Sequence, residues 1–514
     1  MVGRFRFIAV LAIVIVLSSL IYTLYWSRGQ ELIRELRVAI STDISTLDIS
    51  YATGVADFEI LGKVYESLFR IDFDPRLKKL TYIPWLVESY RCINNTYCLF
   101  ILRNGVSFHN GEKLTAWDVK ASIERAVEVS PIGKMLLRDG YGDPVIESII
   151  VYNSSSFALK LRRPFAPLIE HLAHLAVAIM PRTVVEKYGS GRIDSAADVI
   201  GTGPYRVVEY LRGQYVRLQR FNGYWRGEPR IESIVYTIVP DPNARIAAIE
   251  TGQIDIAIGI PPEAVKQLEL KGLRIYRETG VRLVIVAINT QRIPDLRIRQ
   301  AMNYAVDRRA IVDTMMMGFA AVANSIVSPI FPGAASLDSY SYSPEKARQL
   351  IDEAGGVNRR LALLVSTRSP KDLELAQVVQ SFLSSVGIDV EIQAMEHTAF
   401  LKKVFTEHDF DLAIYGPSPS SLYYALTYWR SGAALNAPLY SNPEVDKLLD
   451  EVTRESDRDR QYEIYRRIQE IIWFECPAIW LYYEDIIVAT RPGVEDLRIL
   501  PFQMLILDSI TIKG

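Results

Sequence analysis

Cysteine and histidine are scarce here, with three and five copies in 514 residues. A structural metal site needs about four such ligands at close spacing, and no such grouping occurs. His171 and His174 stand three apart on a helical pattern, but no further ligand accompanies them, so they read as polar residues of a partly exposed helix. No metal and no cofactor is expected. The nucleophile elbow G-x-S-x-G, the metalloprotease H-E-x-x-H and the phosphate loop G-x-x-x-x-G-K-[ST] are absent too. Carboxylates are plentiful, but a sequence cannot pair them across a cleft, so the chain is expected not to be an enzyme. Nor is either charge in excess: 58 Lys and Arg stand against 60 Asp and Glu, a net charge of -2. That balance gives no broad positive field for nucleic-acid phosphates. With 49% hydrophobic and 23% charged residues, the composition is that of a folded protein with a large core. The length suits roughly two to four domain-sized units.

Long apolar runs are missing from all but the N-terminus. Residues 7–26 (FIAVLAIVIVLSSLIYTLYW) carry no charge, and about twenty residues in a helix span a bilayer core of roughly 30 Å. Arg4 and Arg6 precede the run, and Tyr22, Tyr25 and Trp26 crowd its far end. A basic flank followed by an aromatic belt places the N-terminus inside and the body outside. A cleaved signal peptide is the alternative, but its apolar core is usually about 7–15 residues and ends in small side chains. The run is therefore read as one transmembrane anchor helix, placing the protein at the cell membrane with its body outside the cell. Cys92 and Cys98 flank an Asn94-Asn95 hairpin tip, and a disulfide closing that hairpin fits an oxidising exterior. Two reduced structural cysteines are the alternative. Cys476, alone in an apolar stretch, reads as a small buried hydrophobe.

Strand and helix signals alternate through much of the body. Ser343-Pro344-Glu345 marks a helix start and Gly355 its end. A strand is expected at 361–365, and a helix from Ser369-Pro370 with Leu373, Ala376, Val379, Phe382 and Leu383 on one face, stopped by Gly387. Further strands are expected at 388–392 and 410–415, with a helix near 398–406 between them. A similar block has strands at 234–239, 254–258 and 281–288 and helices at 243–250 and 296–309. Strand–helix–strand at this spacing means crossover units and a largely parallel sheet. Residues 71–189 differ: turn pairs such as Asn104-Gly105 and Asn110-Gly111 signal hairpins, hence a mixed α/β insertion.

Several segments, in order, resemble family 5 of the extracellular solute-binding proteins, the dipeptide, oligopeptide and nickel binders of ATP-driven importers. They are Ser45-Thr46-Leu47-Asp48, Val64-Tyr65-Glu66-Ser67-Leu68, and Leu102-Arg103-Asn104-Gly105-Val106-Ser107-Phe108-His109-Asn110-Gly111 with Leu114-Thr115-Ala116-Trp117-Asp118-Val119. Gly201-Thr202-Gly203-Pro204-Tyr205, Asn222-Gly223-Tyr224-Trp225, and Asn289-Thr290 with the stretch 297–308 (RIRQAMNYAVDR) follow. Tyr440-Ser441-Asn442-Pro443-Glu444-Val445-Asp446 completes the set. Most of these residues have scaffold readings of their own, such as the tight Gly201–Pro204 turn.

The resemblance implies an α/β periplasmic-binding-protein-like fold of two lobes (class II) with an extra mixed α/β domain, preceded by the transmembrane helix. By analogy, residues 1–35 form the anchor and linker, and residues 36–70, 190–279 and 480–514 form lobe I. Residues 71–189 form the extra domain and 280–479 lobe II. The lobes close on a solute by hinge motion, and a monomer delivers it to ABC permease subunits. Peptide-binding members hold the ligand amine with an aspartate in the loop after a second-lobe strand. Here that loop, residues 416–424, reads GPSPSSLYY and has no aspartate. A buried ammonium without a carboxylate is costly, so hydroxyls and aromatics point to a sugar, a blocked peptide or another neutral solute. Gly416, Ser418, Ser420, Ser421, Tyr423, Tyr424, Tyr428 and Trp429 are the candidate contacts, with stacking by the rings. Tyr51 and Asp57 should lie near the cleft rim, and Tyr482 and Tyr483 where the chain crosses between lobes. Arg368 and Arg430 are candidates for a ligand carboxylate. No cysteine precedes Cys92, which excludes the lipid attachment common in bacterial members. Alternatives are a membrane-anchored peptide receptor or chaperone without a permease, a surface hydrolase, and a nickel or haem binder.

Overall fold

The computed structural model describes residues 33–139, 142–337 and 340–512. The apolar run at 7–26 lies outside them, and among the described residues no helix is long and apolar enough to cross a membrane.

Two long antiparallel strands, Arg274–Ile288 and Ala478–Thr490, organise the fold. The sequence signals a strand only at 281–288. Its first half alternates exposed Arg274 and Arg277 with half-buried residues, so no apolar pattern announces it. The pair sits inside an eleven-stranded sheet. On one side follow Ile256–Ile258, Ile33–Ile40, Ile231–Ile238, Tyr215–Arg220 and Tyr205–Leu211, and on the other Leu412–Tyr415, Leu361–Ser366 and Val390–Met395. The neighbours of Ile33–Ile40 and of Leu361–Ser366 run parallel to them, as crossover connections require. The chain thus builds one half of the sheet, crosses on Arg274–Ile288, builds the other, and returns on Ala478–Thr490. The register between the two long strands breaks between Thr279 and Leu283. Gly280 sits in that break, where a Cβ would stand 2.8 Å from the Glu484 carbonyl oxygen.

The expected helix starts hold. The Ser343 and Ser369 hydroxyls accept from the backbone of Lys346 and Asp372, as N-caps do. Gly355 and Gly387 stop their helices at φ 89° and 92°. The helix expected at 296–309 instead ends at Ala305. Beyond it buried Arg308 donates to the carbonyls of Asn303, Tyr340 and Trp480, pinning the chain to a sheet strand. The helix expected near 398–406 is His397–Leu401, continuing as a wider turn over Lys402–Glu407.

Residues 71–189 contain a four-stranded antiparallel sheet of Val87–Ile93, Tyr97–Leu102, Ser156–Leu161 and Ile146–Asn153, with the helix Ala116–Val129. Asn94 and Asn95 turn the first hairpin at φ 49° and 52°, a backbone region asparagine tolerates well. Beside them Cys92 and Cys98 are cross-strand partners joined by a disulfide. One apolar core joins Phe100 and Phe157 of this sheet to Tyr423, Trp473 and Trp480 of the far half of the molecule, the half built around Leu361–Ser366, the near half being that around Ile33–Ile40. Separate cores lie under the near half, around Val38 and Tyr236, and under the far half, around Met302 and Leu383.

Candidate functional site

Three of the motif segments meet at one carboxylate. Glu66 is 6% exposed and accepts from Trp85 Nε1 at 2.7 Å, Tyr224 OH at 2.8 Å, Trp225 Nε1 at 3.0 Å and Thr202 Oγ1 at 2.8 Å. Burial pushes its pKa up, and the bonds from the two indoles, Thr202 and Tyr224 pull it back. Val64-Tyr65-Glu66, Gly201-Thr202-Gly203 and Tyr224-Trp225 are thereby tied together. A Cβ on Gly201 would stand 2.0 Å from the Val64 carbonyl oxygen, and one on Gly203 2.6 Å from that of Lys63. Glycine is obligatory at this backbone contact. His109 seals it, with Nε2 2.9 Å from the Gly203 carbonyl and Nδ1 accepting from the Gly201 N–H. Earlier in the same stretch of chain, Glu59 and Lys63 form a second buried knot. Glu59 accepts from Tyr236 OH and Leu505 N–H, and Lys63 Nζ donates to Glu59 and to the Leu505 carbonyl. It fastens the helix Val55–Leu61 to the C-terminal strand Met504–Ile506.

Against this scaffold lies a cleft of about 300 Å³, the size of a small-ligand site. One wall carries Phe58, Lys63, Glu66, Phe69, Arg70 and Trp85, and the break in the long strands contributes Gly280, Val281, Arg282, Glu484 and Asp485. Ser418, Ser420, Tyr424 and Tyr428 face in from the far half, and residues 500–508 close the site. Charges of both signs reach it. Arg282 bonds Glu484 at 2.6 Å and approaches Asp372 at 3.9 Å; burial opposes its charge, but the two carboxylates more than offset this and its pKa is raised. Asp485 is paired with Arg277 and accepts from Thr279 Oγ1, although burial leaves its pKa raised. His174 lines the cleft with its pKa pushed down to about 3, first by burial and then by His171, so it is neutral at physiological pH. The Ser420 hydroxyl is buried and has no hydrogen-bond partner among the described residues.

The structure divides the residues singled out from sequence. Ser418, Ser420, Tyr424 and Tyr428 line the cleft, the last two edge to face with centroids 4.9 Å apart. Ser421 instead caps the helix Leu422–Thr427 and contacts His171. Tyr423 packs on Phe165, and Trp429 on Trp480. Gly416 abuts Arg282, 2.6 Å from where a Cβ would lie. Arg430 is paired with Asp450 at 2.6 Å, and Arg368 lies beside His397. Tyr51 donates to the Ser190 carbonyl, and Asp57 accepts from Ser45, Thr53 and Gly54 at its helix start; neither reaches the cleft wall. Tyr482 and Tyr483 lie on a crossing strand but are buried, Tyr483 bonded to Ser325. Sequence reasoning missed Lys63, Arg70, Trp85, Arg282, Glu484 and residues 500–508. For Lys63 and Arg70 the only signal was proximity to the Val64–Leu68 motif. Among the described residues no cluster of His, Cys, Asp or Glu could hold a metal ion.

A cleft beside the strands that join two halves of one sheet, walled by fixed charges and rings, is built to hold a solute. The sequence pattern of the bacterial extracellular solute-binding proteins, family 5 (middle region), matches residues 81–435. The chain belongs to this family, whose members bind solutes rather than transform them. The glutathione-binding protein GsiB of Shigella flexneri is 29% identical over 487 residues, covering 91% of this chain and 92% of that one. Among solved structures, DppA from Helicobacter pylori with the peptide STSA has a TM-score of 0.80 at 22% identity, over 95% of this chain and 100% of that one. NikA from Staphylococcus aureus with Ni(L-His)2 has a TM-score of 0.76 at 24% identity, over 93% and 100%. These two likenesses are of fold.

Proposed function

We propose that this protein captures a short peptide or similar amino-acid-derived solute in the cleft and hands it to the permease of an ABC importer. The observation that carries this reading is the mixture of charge in the cleft wall. Arg70, Arg282, Glu484, Asp485 and Asp508 all line it, beside Trp85, Tyr424 and Tyr428. A solute with an amine, a carboxylate and apolar side chains finds a partner there for each group. The loop at 416–424 has no aspartate, but Glu484 and Asp485 supply carboxylates from the crossing strand, so the objection to a free amine loses force. The GsiB relative, named for glutathione, supports the same solute class.

The proposed motion is closure of the two sheet halves about the break at Thr279–Leu283, with residues 36–70, 190–279 and 480–514 as one lobe, 280–479 as the other and 71–189 as the extra domain. The run at 7–26 is proposed to anchor the body outside the membrane, and the body to work as a monomer. Thermal unfolding against pools of peptides and of oligosaccharides tests the solute class. A ligand at about 100 times its Kd stabilises the fold by roughly 2.7 kcal/mol. A shift with peptides supports the reading. A shift with oligosaccharides alone replaces it by a sugar reading built on Ser418, Ser420, Tyr424 and Tyr428.

A further inference from the structure

Beside the cleft, two guanidinium groups share one ring and one carboxylate. The Arg70 Cζ lies 4.5 Å and the Arg226 Cζ 4.4 Å from the centre of the Trp85 ring. Trp85 is held rigidly by its indole bond to Glu66 and by edge-to-face packing on Trp225, with centroids 5.4 Å apart. Arg103 adds a third guanidinium, 5.1 Å from the Trp225 ring centre. The counter-charge is thin. Asp508 lies 3.1 Å from Arg70 and 4.0 Å from Arg226, while Glu66 is turned inward to its four donors. Two arginines on one aspartate leave an excess positive charge, and Arg70, Trp85 and Asp508 all line the cleft. Guanidinium groups stacked on a ring keep their in-plane donors directed outward, where a planar carboxylate can take two of them.

We propose that Arg70, seated on Trp85 and backed by Arg226, is the anchor for a carboxylate of the bound solute, and that Asp508 occupies Arg70 until the solute arrives. This rests on the reading of the cleft as a peptide site and adds which end of the solute is fixed, and by what. Asp508 is half-exposed, so it can give way to the incoming carboxylate at little cost.

The test uses the full-length chain with two probes: a mixed tripeptide pool with free C-termini and the same pool as C-terminal amides. Binding is read by calorimetry for wild type, Arg70→Gln and Asp508→Asn. The free-acid pool is expected to bind wild type about 10- to 100-fold more tightly than the amide pool. Arg70→Gln should abolish that preference by weakening the free-acid pool far more than the amide pool. Asp508→Asn, which removes the competing carboxylate, should increase it. A merely structural Arg70–Asp508 pair predicts instead that both variants weaken both pools alike. Equal binding of acids and amides by wild type overturns the anchor and leaves the peptide reading standing. Binding of neither pool overturns the peptide reading and the anchor with it.

Discussion

Replacing Glu66 measures how far the fold depends on the junction of its motifs. In Glu66→Ala, the Trp85 and Trp225 indoles, Tyr224 and Thr202 all lose their acceptor. A buried donor left unsatisfied costs about 1–3 kcal/mol, but the space vacated by the side chain can admit a water, so the expected loss is about 3–6 kcal/mol. Glu66→Gln is more discriminating. Oε1 serves Trp85 and Tyr224, and Oε2 serves Trp225 and Thr202. The amide keeps one oxygen and points an NH2 at the other two donors. A hydroxyl can turn to accept, but an indole N–H can only donate, so one Trp is stranded at a cost of about 2–3 kcal/mol. Urea unfolding followed by tryptophan fluorescence reads the order wild type, Gln, Ala. A Glu66→Gln protein as stable as wild type would refute the reasoning, since it would mean that the carboxyl already acts as a neutral donor.

Glu170 is pushed up to about 7 by burial, with Arg458 pulling the other way. Its stabilising contribution is complete below the unfolded pKa, about 4.3, and is lost as pH rises through about 7, so Glu170→Gln should match wild type at pH 4 and exceed it by about 3–4 kcal/mol at pH 8; a gap independent of pH in urea titrations would contradict this. His171, pushed down to about 4 by burial, acts with the opposite sign: the unfolded chain takes up its proton first, so stability falls as pH drops from about 6.5 to 4, and a His171 variant that still folds should show a flatter acid limb. The Cys92–Cys98 disulfide closes a short loop, so reduction should cost about 2 kcal/mol, and a reductant that leaves the melting temperature unchanged would contradict that. Ser420→Ala removes a buried hydroxyl without a partner among the described residues; the unliganded protein should be unchanged or up to about 1 kcal/mol more stable while solute affinity falls, and unchanged affinity would remove Ser420 from the site.

The crossover architecture was legible because helix punctuation is local. Ser343-Pro344, Gly355, Ser369-Pro370 and Gly387 act where they stand, through a hydroxyl cap, a fixed φ or a positive φ. The joining strand was only half legible, since its first half is half-buried and carries Arg277, paired with Asp485 beside the break, rather than an apolar face. In the loop at 416–424, hydroxyls and rings were visible but their directions were not: Ser420 faces the cleft while the next residue, Ser421, caps a helix. Tyr423 and Tyr424 divide in the same way between core and cleft, because successive residues of a helix start point about 100° apart.

Motif and ligand contact also part for a physical reason. Three of the motif segments converge on Glu66 and on the glycine contact at Val64, where geometry tolerates almost no change. In the proposed reading the solute touches the surface of that scaffold, where side chains can vary without cost to the fold. Residues 500–508 show the division most clearly. They supply nine consecutive lining residues and contain no motif. Their backbone is nevertheless fixed at two places: Leu505 joins Glu59 and Lys63 of the near half, and the Pro501 carbonyl accepts from Val281 at the break. A motion about the break must therefore either carry this segment with the near half and break the Val281–Pro501 bond, or pivot on that bond. In both cases the proposed closure would reshape this segment of the cleft wall.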